Sequence, residues 1–348
     1  MYEFQKNYAY RPEINYKGSI DLLARVINEQ KERYTVQTIY GSRPAIVKGK
    51  FRHDAASRED FPSIGDWVVL KENNPHDVLI INKLLPRFSC IVRKADELET
   101  NVQILASNVT KVFIVLSLEE KINERKLERF LVTVWESGSS PIIILSKADL
   151  TENLEAIKQE IDQVALGVPI LTWDAVNEIG KDKIQNTIHP DDTIVLIGNS
   201  GVGKSTLINH LLGKKVLKTR AVRDSDKRGR HTTTHRELFR LPDGGVIIDT
   251  PGMRSFLLWG GEETGLSHTF SDIQILIGKC RFNDCQHDTE PDCAIKEALE
   301  TGELERERWN SYVKLQKELA YLERKQNTRL AAEEKKKWKK ATMKHRSK

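Results

Sequence analysis

The sequence predicts a multidomain α/β protein. It has an N-terminal five-stranded β-barrel, a mostly parallel sheet with helices between its strands, and a C-terminal cysteine–histidine module with helices. Three observations carry this. Short strands separated by turn residues fill residues 17–95, apolar strands alternate with helical stretches over 108–252, and three of the four cysteines fall within fourteen residues beyond them.

The barrel strands are read as Ser19–Val26, Tyr34–Tyr40, Ala45–Phe51, Asp66–Lys71 and Asp77–Leu84. Gly41-Ser42-Arg43-Pro44 and Asn73-Asn74-Pro75 separate them as turns. Five short strands in this length suit a small closed barrel, of which the OB-fold is the usual form, and such barrels often bind nucleic acid.

The next strands are Val112–Leu116, Ile142–Leu145, Pro169–Thr172, Ile194–Ile197 and Val246–Ile248, with helices expected over Asn123–Glu136, Asn153–Ala165, Val176–Thr187 and Lys204–Leu212. Near-continuous apolar strands with helices between them indicate a parallel sheet buried on both faces. Ligands of such sheets sit at the carboxyl ends of the strands.

Gly198-Asn199-Ser200-Gly201-Val202-Gly203-Lys204-Ser205 follows one of these strands and opens a helix, the context of a phosphate-binding loop. Its backbone N–H groups and the helix dipole favour phosphate. Lys204 would neutralise the β- and γ-phosphates, Ser205 would ligate Mg²⁺, and Thr206 completes the contacting stretch. Asp249-Thr250-Pro251-Gly252 follows another strand. Asp249 is placed to hold Mg²⁺ through water, and the Gly252 N–H to meet the γ-phosphate. Between these motifs runs the basic stretch Lys214–His235. A threonine of Gly229-Arg230-His231-Thr232-Thr233-Thr234 could complete the Mg²⁺ shell, Thr233 being favoured.

Ser146-Lys147-Ala148-Asp149 directly follows the strand Ile142–Leu145. A carboxylate at 149 can accept from both N1–H and the 2-amino group of guanine, whereas adenine would leave it unpaired. Lys147 can lie along the base plane. GTP with Mg²⁺ is the expected ligand. The base-reading motif precedes the phosphate loop, a rotated order compatible with one pocket because the pocket needs both pieces in space. A further base-contacting turn is expected near Thr172-Trp173-Asp174.

Cys280-x₄-Cys285-x-His287-x₅-Cys293 offers three thiolates and an imidazole, a closed tetrahedral shell for one structural Zn²⁺. Asp284 and Asp288 read as exposed neighbours, and Cys90 as a small barrel residue. A charged helical stretch, Ile295–Leu322, follows the cluster. From Tyr321 to Lys348 there are eleven Lys or Arg against three Glu, and Lys335-Lys336-Lys337-Trp338-Lys339-Lys340 adds an aromatic to the charge. That composition favours a polyanion. Over the whole 348 residues the net charge is +5. No apolar run approaches a membrane span and the N-terminus lacks a secretory pattern, so a cytoplasmic protein is expected.

Taken in this order, the chain resembles the ribosome small-subunit-dependent GTPase A family (RsgA-type), which is circularly permuted. Supporting stretches are Gly65-Asp66-Trp67-Val68, Leu85-Pro86-Arg87, Ala106-Ser107-Asn108-Val109, Leu127-Glu128-Arg129-Phe130 and Gly229-Arg230-His231-Thr232-Thr233. The resemblance implies GTP hydrolysis stimulated by the small ribosomal subunit, rRNA binding and a role in late maturation, by a monomer with no membrane partner. The expected modules are an OB-fold barrel over 1–100, a circularly permuted GTPase domain over 101–270, and a zinc module with basic tail over 271–348. Ser146 stands where the family usually has Asn; a shorter side chain is expected to weaken contact with the base and the phosphate loop. Thr110 stands where Asp is common, and Thr172-Trp173 lacks the usual Ser-Ala. Met253 stands where many GTPases carry a water-orienting Gln, so intrinsic hydrolysis should be slow. His231 is then the catalytic candidate by motif and by resemblance. An RNA-binding assembly factor with a structural, seldom hydrolysed nucleotide is the alternative; an ATP-using P-loop enzyme is disfavoured by Asp149.

Overall fold

The computed structural model describes residues 3–30, 33–55, 58–71, 78–94, 102–217, 236–250 and 264–324. His231, Thr233, Gly252, Met253 and most of the basic tail lie outside the described residues. Two compact units divide the chain. One comprises Met1–Ile122, Ser137–Lys158 and Val168–Leu257; the other comprises Asn123–Glu136, Gln159–Gly167 and Leu258–Lys348.

In the first unit, β1 (Leu23–Gln30), β2 (Arg33–Thr38), β3 (Gly41–Val47), β4 (Trp67–Leu70) and β5 (Leu79–Leu84) form a barrel in the order β1-β2-β3-β5-β4, closed by β4 on β1. Only β3 and β5 run parallel within it. Alternate residues point inward, as the two-residue period of a strand requires, and Val26, Tyr34, Val36, Ala45, Val47, Val68 and Ile81 fill the interior. Two edges differ from the sequence reading. Ile20–Leu22 is a 3₁₀ turn capped by the Ser19 hydroxyl, which accepts from the Asp21 N–H, so β1 starts late and runs on to Gln30. After Val47 the chain turns into the helix Gly49–Asp54, which sets Phe51 against Phe61 under the barrel core.

A two-stranded pair that the sequence did not announce follows: β6 (Cys90–Lys94) with β7 (Val102–Ser107). Cys90 therefore lies outside the barrel, and burial pushes its thiol up to about 12.

The remaining strands are β8 (Lys111–Ser117), β9 (Ser140–Ser146), β10 (Ile170–Trp173), β11 (Thr193–Ile197), β12 (Arg236–Arg240) and β13 (Val246–Asp249). They line up as β10-β9-β8-β11-β13-β12, parallel except for β12. Phe113, Val115, Ile142, Ile144, Ile194 and Leu196 pack on the helix Lys204–Leu212 through Leu207, Ile208 and Leu211. The alternate residues Val112, Ile114, Ile143, Leu145, Val195 and Ile197 are equally buried. Each such side chain contributes about 1.5–3 kcal/mol, which is why these strands read as unbroken apolar runs. The helix expected over Val176–Thr187 shrinks to Lys181–Gln185, because Asp174 folds the preceding residues into a turn.

β12 was also not expected. It pairs with β1, so the barrel and the parallel sheet form one eleven-stranded sheet. Arg25 reinforces this junction. Fully buried, it donates from Nη2 to Thr193 Oγ1 (2.8 Å), from Nε to Gly65 O (3.2 Å) and from Nη1 to Tyr8 O, and it lies over the Trp67 ring. Burial brings its guanidinium down to about 9, with Asp66 opposing. Thr110, where the family often has Asp, ties the starts of β8 and β11 together. Its hydroxyl donates to Asp192 Oδ1 (2.8 Å) and accepts from the Thr193 N–H (3.0 Å).

The second unit is helical: Glu124–Glu136, Thr264–Thr269, Ser271–Ile277, Ala294–Thr301 and residues 306–324. The single helix expected over Ile295–Leu322 is broken at Gly302, whose φ of 79° is left-handed. Leu266, Phe270, Ile273, Ile295, Tyr312 and Leu315 form the core. Arg308 holds Asp272 through two bonds of 2.6 and 2.8 Å and reaches Glu128 at 3.1 Å. The Ser311 hydroxyl also donates to Glu128.

Burial pushes the Glu128 carboxyl above the usual carboxylate range, with Ser311 and Arg308 opposing and Glu124 adding. A raised folded pKa favours the folded state below the ordinary Glu value, and that contribution is lost as pH rises through the raised value. Glu128→Gln keeps an acceptor for Ser311 and should remove the loss. At neutral pH the variant should be the more stable, and at acid pH the two should match. Urea titrations at both pH values check this; a variant less stable at neutral pH contradicts it.

Candidate functional site

Parallel pairing brings the carboxyl ends of β9, β8, β11 and β13 to one edge of the sheet. Ser146 is the last residue of β9, Gly198 follows β11, and Asp249 is the last residue of β13. β8 alone separates β9 from β11, so the base-reading and phosphate-loop motifs stand two strand spacings apart, about 10 Å. They also touch. The Ser146 hydroxyl, 1% exposed, donates to Val202 O at 2.7 Å, with Leu116 O also near at 3.0 Å. The short side chain thus keeps a direct contact with the loop backbone.

The loop is shaped by its glycines. Gly198 has φ 141°, and a Cβ there would sit 2.3 Å from Val115 O. Gly203, at φ 96°, turns the chain into the helix Lys204–Leu212. The Lys204 ammonium donates to Gly198 O (2.9 Å) and Asn199 O (2.6 Å), which hold it at the loop. Burial pushes the Asp249 carboxyl up to about 6, with Lys204 opposing and Glu237, its partner across β12 and β13, adding. A divalent cation beside this carboxylate would relieve both penalties. A carboxylate and a hydroxyl, the groups that Asp249 and Ser205 carry, are hard oxygen donors of the kind that suits Mg²⁺.

On the base side, Lys147 adopts a left-handed φ of 57° and pairs with Glu119. Asp149 follows in the 3₁₀ turn Ala148–Leu150 and is exposed. Of the stretch Thr172-Trp173-Asp174, where a turn was expected, the last residue opens it. Thr172 and Trp173 end β10, Trp173 being buried against His210, and Asp174 makes the turn. The Asp174 carboxylate accepts from the N–H groups of Val176 (2.8 Å) and Asn177 (3.1 Å). Burial works against its charge, but the Asn177 and Val176 hydrogen bonds prevail and hold it below the usual range.

In the second unit, one ligand atom each from Cys280, Cys285, His287 and Cys293 lies within 4.8 Å of the others. The His287 Nδ1 is 3.6 Å from Cys280 Sγ and 3.5 Å from Cys293 Sγ. With Zn–S of about 2.3 Å and Zn–N of about 2.0 Å, a tetrahedral S–N edge is about 3.5 Å. The residues therefore fit zinc. Burial lowers the His287 pKa and keeps the imidazole neutral, as a ligand must be. Asp284 and Asp288 are exposed and outside the cluster.

The family model for RsgA GTPase matches residues 84–259. The small ribosomal subunit biogenesis GTPase RsgA 1 of Oceanobacillus iheyensis is 65% identical over 98% of this chain and 97% of its own length. The chain belongs to the RsgA GTPase family. RsgA 2 of Lactiplantibacillus plantarum is 42% identical, covering 88% of this chain and 85% of its own. Among solved structures, YjeQ from Thermotoga maritima superimposes with a TM-score of 0.64 at 25% identity, over 86% of this chain and 98% of its own. YloQ, a circularly permuted GTPase, gives 0.60 at 26%, over 86% and 94%.

In this circularly permuted RsgA-family GTPase, the Ser146–Val202 bond joins motifs that the sequence order keeps apart. Ser146→Ala would leave Val202 O, already buried, without this donor, a cost of about 1–3 kcal/mol. The whole of this cost falls on the fold, and GTP affinity should fall by at most about a hundredfold, measured by titration with a fluorescent GTP analogue. Unchanged affinity would show that the tie is not needed.

Proposed function

We propose that this chain hydrolyses GTP on the small ribosomal subunit, as a step in that subunit's late maturation, and that it binds rRNA there as a cytoplasmic monomer. The observation that supports it best is the Ser146–Val202 bond, which joins the Ser-Lys-Ala-Asp stretch to the glycine loop before the helix Lys204–Leu212. The names of the Oceanobacillus and Lactiplantibacillus relatives supply the subunit. Among the described residues no helix is long and apolar enough to cross a membrane.

In this reading Ser146, Lys147 and Asp149 hold guanine. Gly198 to Thr206 hold the phosphates, with Lys204 neutralising them, and Gly252 meets the γ-phosphate. Ser205, Thr233 and Asp249 hold Mg²⁺, which offsets charge on the phosphate oxygens when bound. His231 assists attack of water, a role that Met253 cannot fill. Cys280, Cys285, His287 and Cys293 hold a structural Zn²⁺. Modules over 1–100, 101–270 and 271–348 serve as barrel, GTPase domain and zinc module with basic tail.

The test is hydrolysis of GTP and of ATP with and without purified small subunits, across a salt series. GTP turnover should rise with subunits and fall with salt, and ATP should not be turned over. His231→Ala should keep GTP binding and lose the stimulated turnover. Absence of stimulation in the natural protein would leave the structural-nucleotide alternative standing.

A further inference from the structure

We propose that Glu290 is a positioning residue for the zinc site: its carboxylate clamps the backbone on both sides of His287 and so aims that imidazole at the three thiolates. The proposal rests on the zinc reading above. It adds a residue that the ligand spacing did not single out.

His287 lies in the short loop between Cys285 and Cys293, and its φ of 61° is left-handed. A residue with a Cβ holds that conformation only where its surroundings fix it. Here one side chain takes both flanking N–H groups. The Gln286 N–H donates to Glu290 Oε1 at 2.9 Å, and the Asp288 N–H donates to Oε2 at 3.0 Å. Neighbouring N–H groups turned to one side make a concavity that binds an anion. Glu290 fills it from within the chain. Backbone bonds from Gln286, from Glu290 itself and from Asp288 hold its carboxyl down to about 2. The carboxylate is therefore ionised at neutral pH, and its hydrogen bonds are charge-assisted.

The ring carried by this backbone has its Nδ1 3.6 Å from Cys280 Sγ and 3.5 Å from Cys293 Sγ. The loop's other ties do not reach the N–H groups beside His287. Arg281 meets Asp292 at 2.7 Å, with side chains 63% and 65% exposed, where solvent screens the pair. Gln286 Nε2 donates to Asp284 O at 3.1 Å, also in the open. Groups outside the ligand set that orient a metal-bound imidazole are worth about 10–100-fold in metal affinity.

The experiment compares the full natural chain with Glu290→Gln, Glu290→Ala and Asp288→Asn. Zn²⁺ affinity is measured by competition with a chromophoric chelator, and the Co²⁺-loaded proteins are compared by visible absorption. Glu290→Gln turns an amide donor toward one of the two N–H groups. It is expected to weaken Zn²⁺ binding about 10–100-fold, and Glu290→Ala at least as much. The Co²⁺ ligand-field bands should shift in both, while the thiolate-to-cobalt charge-transfer band persists, because the imidazole is misaimed and the three cysteines stay. Asp288→Asn removes a carboxylate from the same loop, keeps its N–H, and should match the natural protein. Natural affinity in Glu290→Gln would overturn the clamp. So would equal weakening in Asp288→Asn, or loss of both Co²⁺ bands together, which marks general loosening of the loop. Each of these leaves the zinc reading standing; a natural protein that takes up no Zn²⁺ would end that reading and the clamp with it.

Discussion

Asp149→Asn should lower GTP affinity by about a hundred- to several-thousandfold. In the proposed function the carboxylate accepts from guanine N1–H and its 2-amino group, and each charge-assisted bond of this kind is worth about 1.5–3 kcal/mol. An asparagine amide offers one acceptor and one donor, so it meets one guanine hydrogen with another. Xanthine carries a carbonyl at C2 in place of the amino group. Its triphosphate should therefore bind the variant better than GTP does, and the natural protein worse. Titrating both nucleotides against both proteins gives the four affinities. A variant that still prefers GTP would mean that Asp149 does not read the base, and the tie between Ser146 and Val202 would then need another purpose.

The second large effect concerns the cysteine–histidine cluster. Zinc removal should unfold much of the helical unit. Cys293 is buried within the same core as Phe270, Ile295 and Tyr312, with Cys280 and Cys285 packed against it. Trp309 meets the His287 ring edge-on at 5.5 Å. Structural zinc sites contribute about 10–16 kcal/mol at neutral pH, as much as the about 5–15 kcal/mol that stabilises a whole domain. Chelation, or Cys293→Ala, should abolish a large part of the helical circular dichroism and red-shift Trp309 emission. Metal analysis confirms that zinc has left. Helical signal that persists after zinc is gone would show that the apolar core suffices alone.

The two metal assignments were legible for different reasons. The proposed zinc ligands lie within fourteen residues, so their spacing alone suggested a metal cluster, and the structure brings the four together. Two of the proposed magnesium donors, Ser205 in the helix Lys204–Leu212 and Asp249 at the end of β13, lie on separate elements and were picked out because each comes after an apolar strand. Some stretches that carried the family resemblance gain a physical meaning in the structure. Asp66 and Arg87 form a two-bond ion pair of 2.8 and 2.6 Å. Asn108 donates to Gly65 O at 3.2 Å, and a Cβ at Gly65 would strike Ser107 O at 2.2 Å. Glu128 and Arg129 meet Arg308 and Glu318. Each contact joins residues at least twenty positions apart, so neither partner announces the other.

The sequence by itself determined what repeats at short range. It set the barrel strands through alternation, the parallel strands through apolar runs, the phosphate loop through its glycines, and the zinc shell through ligand spacing. The tertiary structure decided what depends on pairing across distance. It alone placed β12 between the barrel and the parallel sheet, gave Ser146 its bond to Val202, and buried Arg25 at the junction. A strand such as β12, with polar residues at three of its five positions, has no apolar period to reveal it; its hydrogen-bonding partners make it a strand.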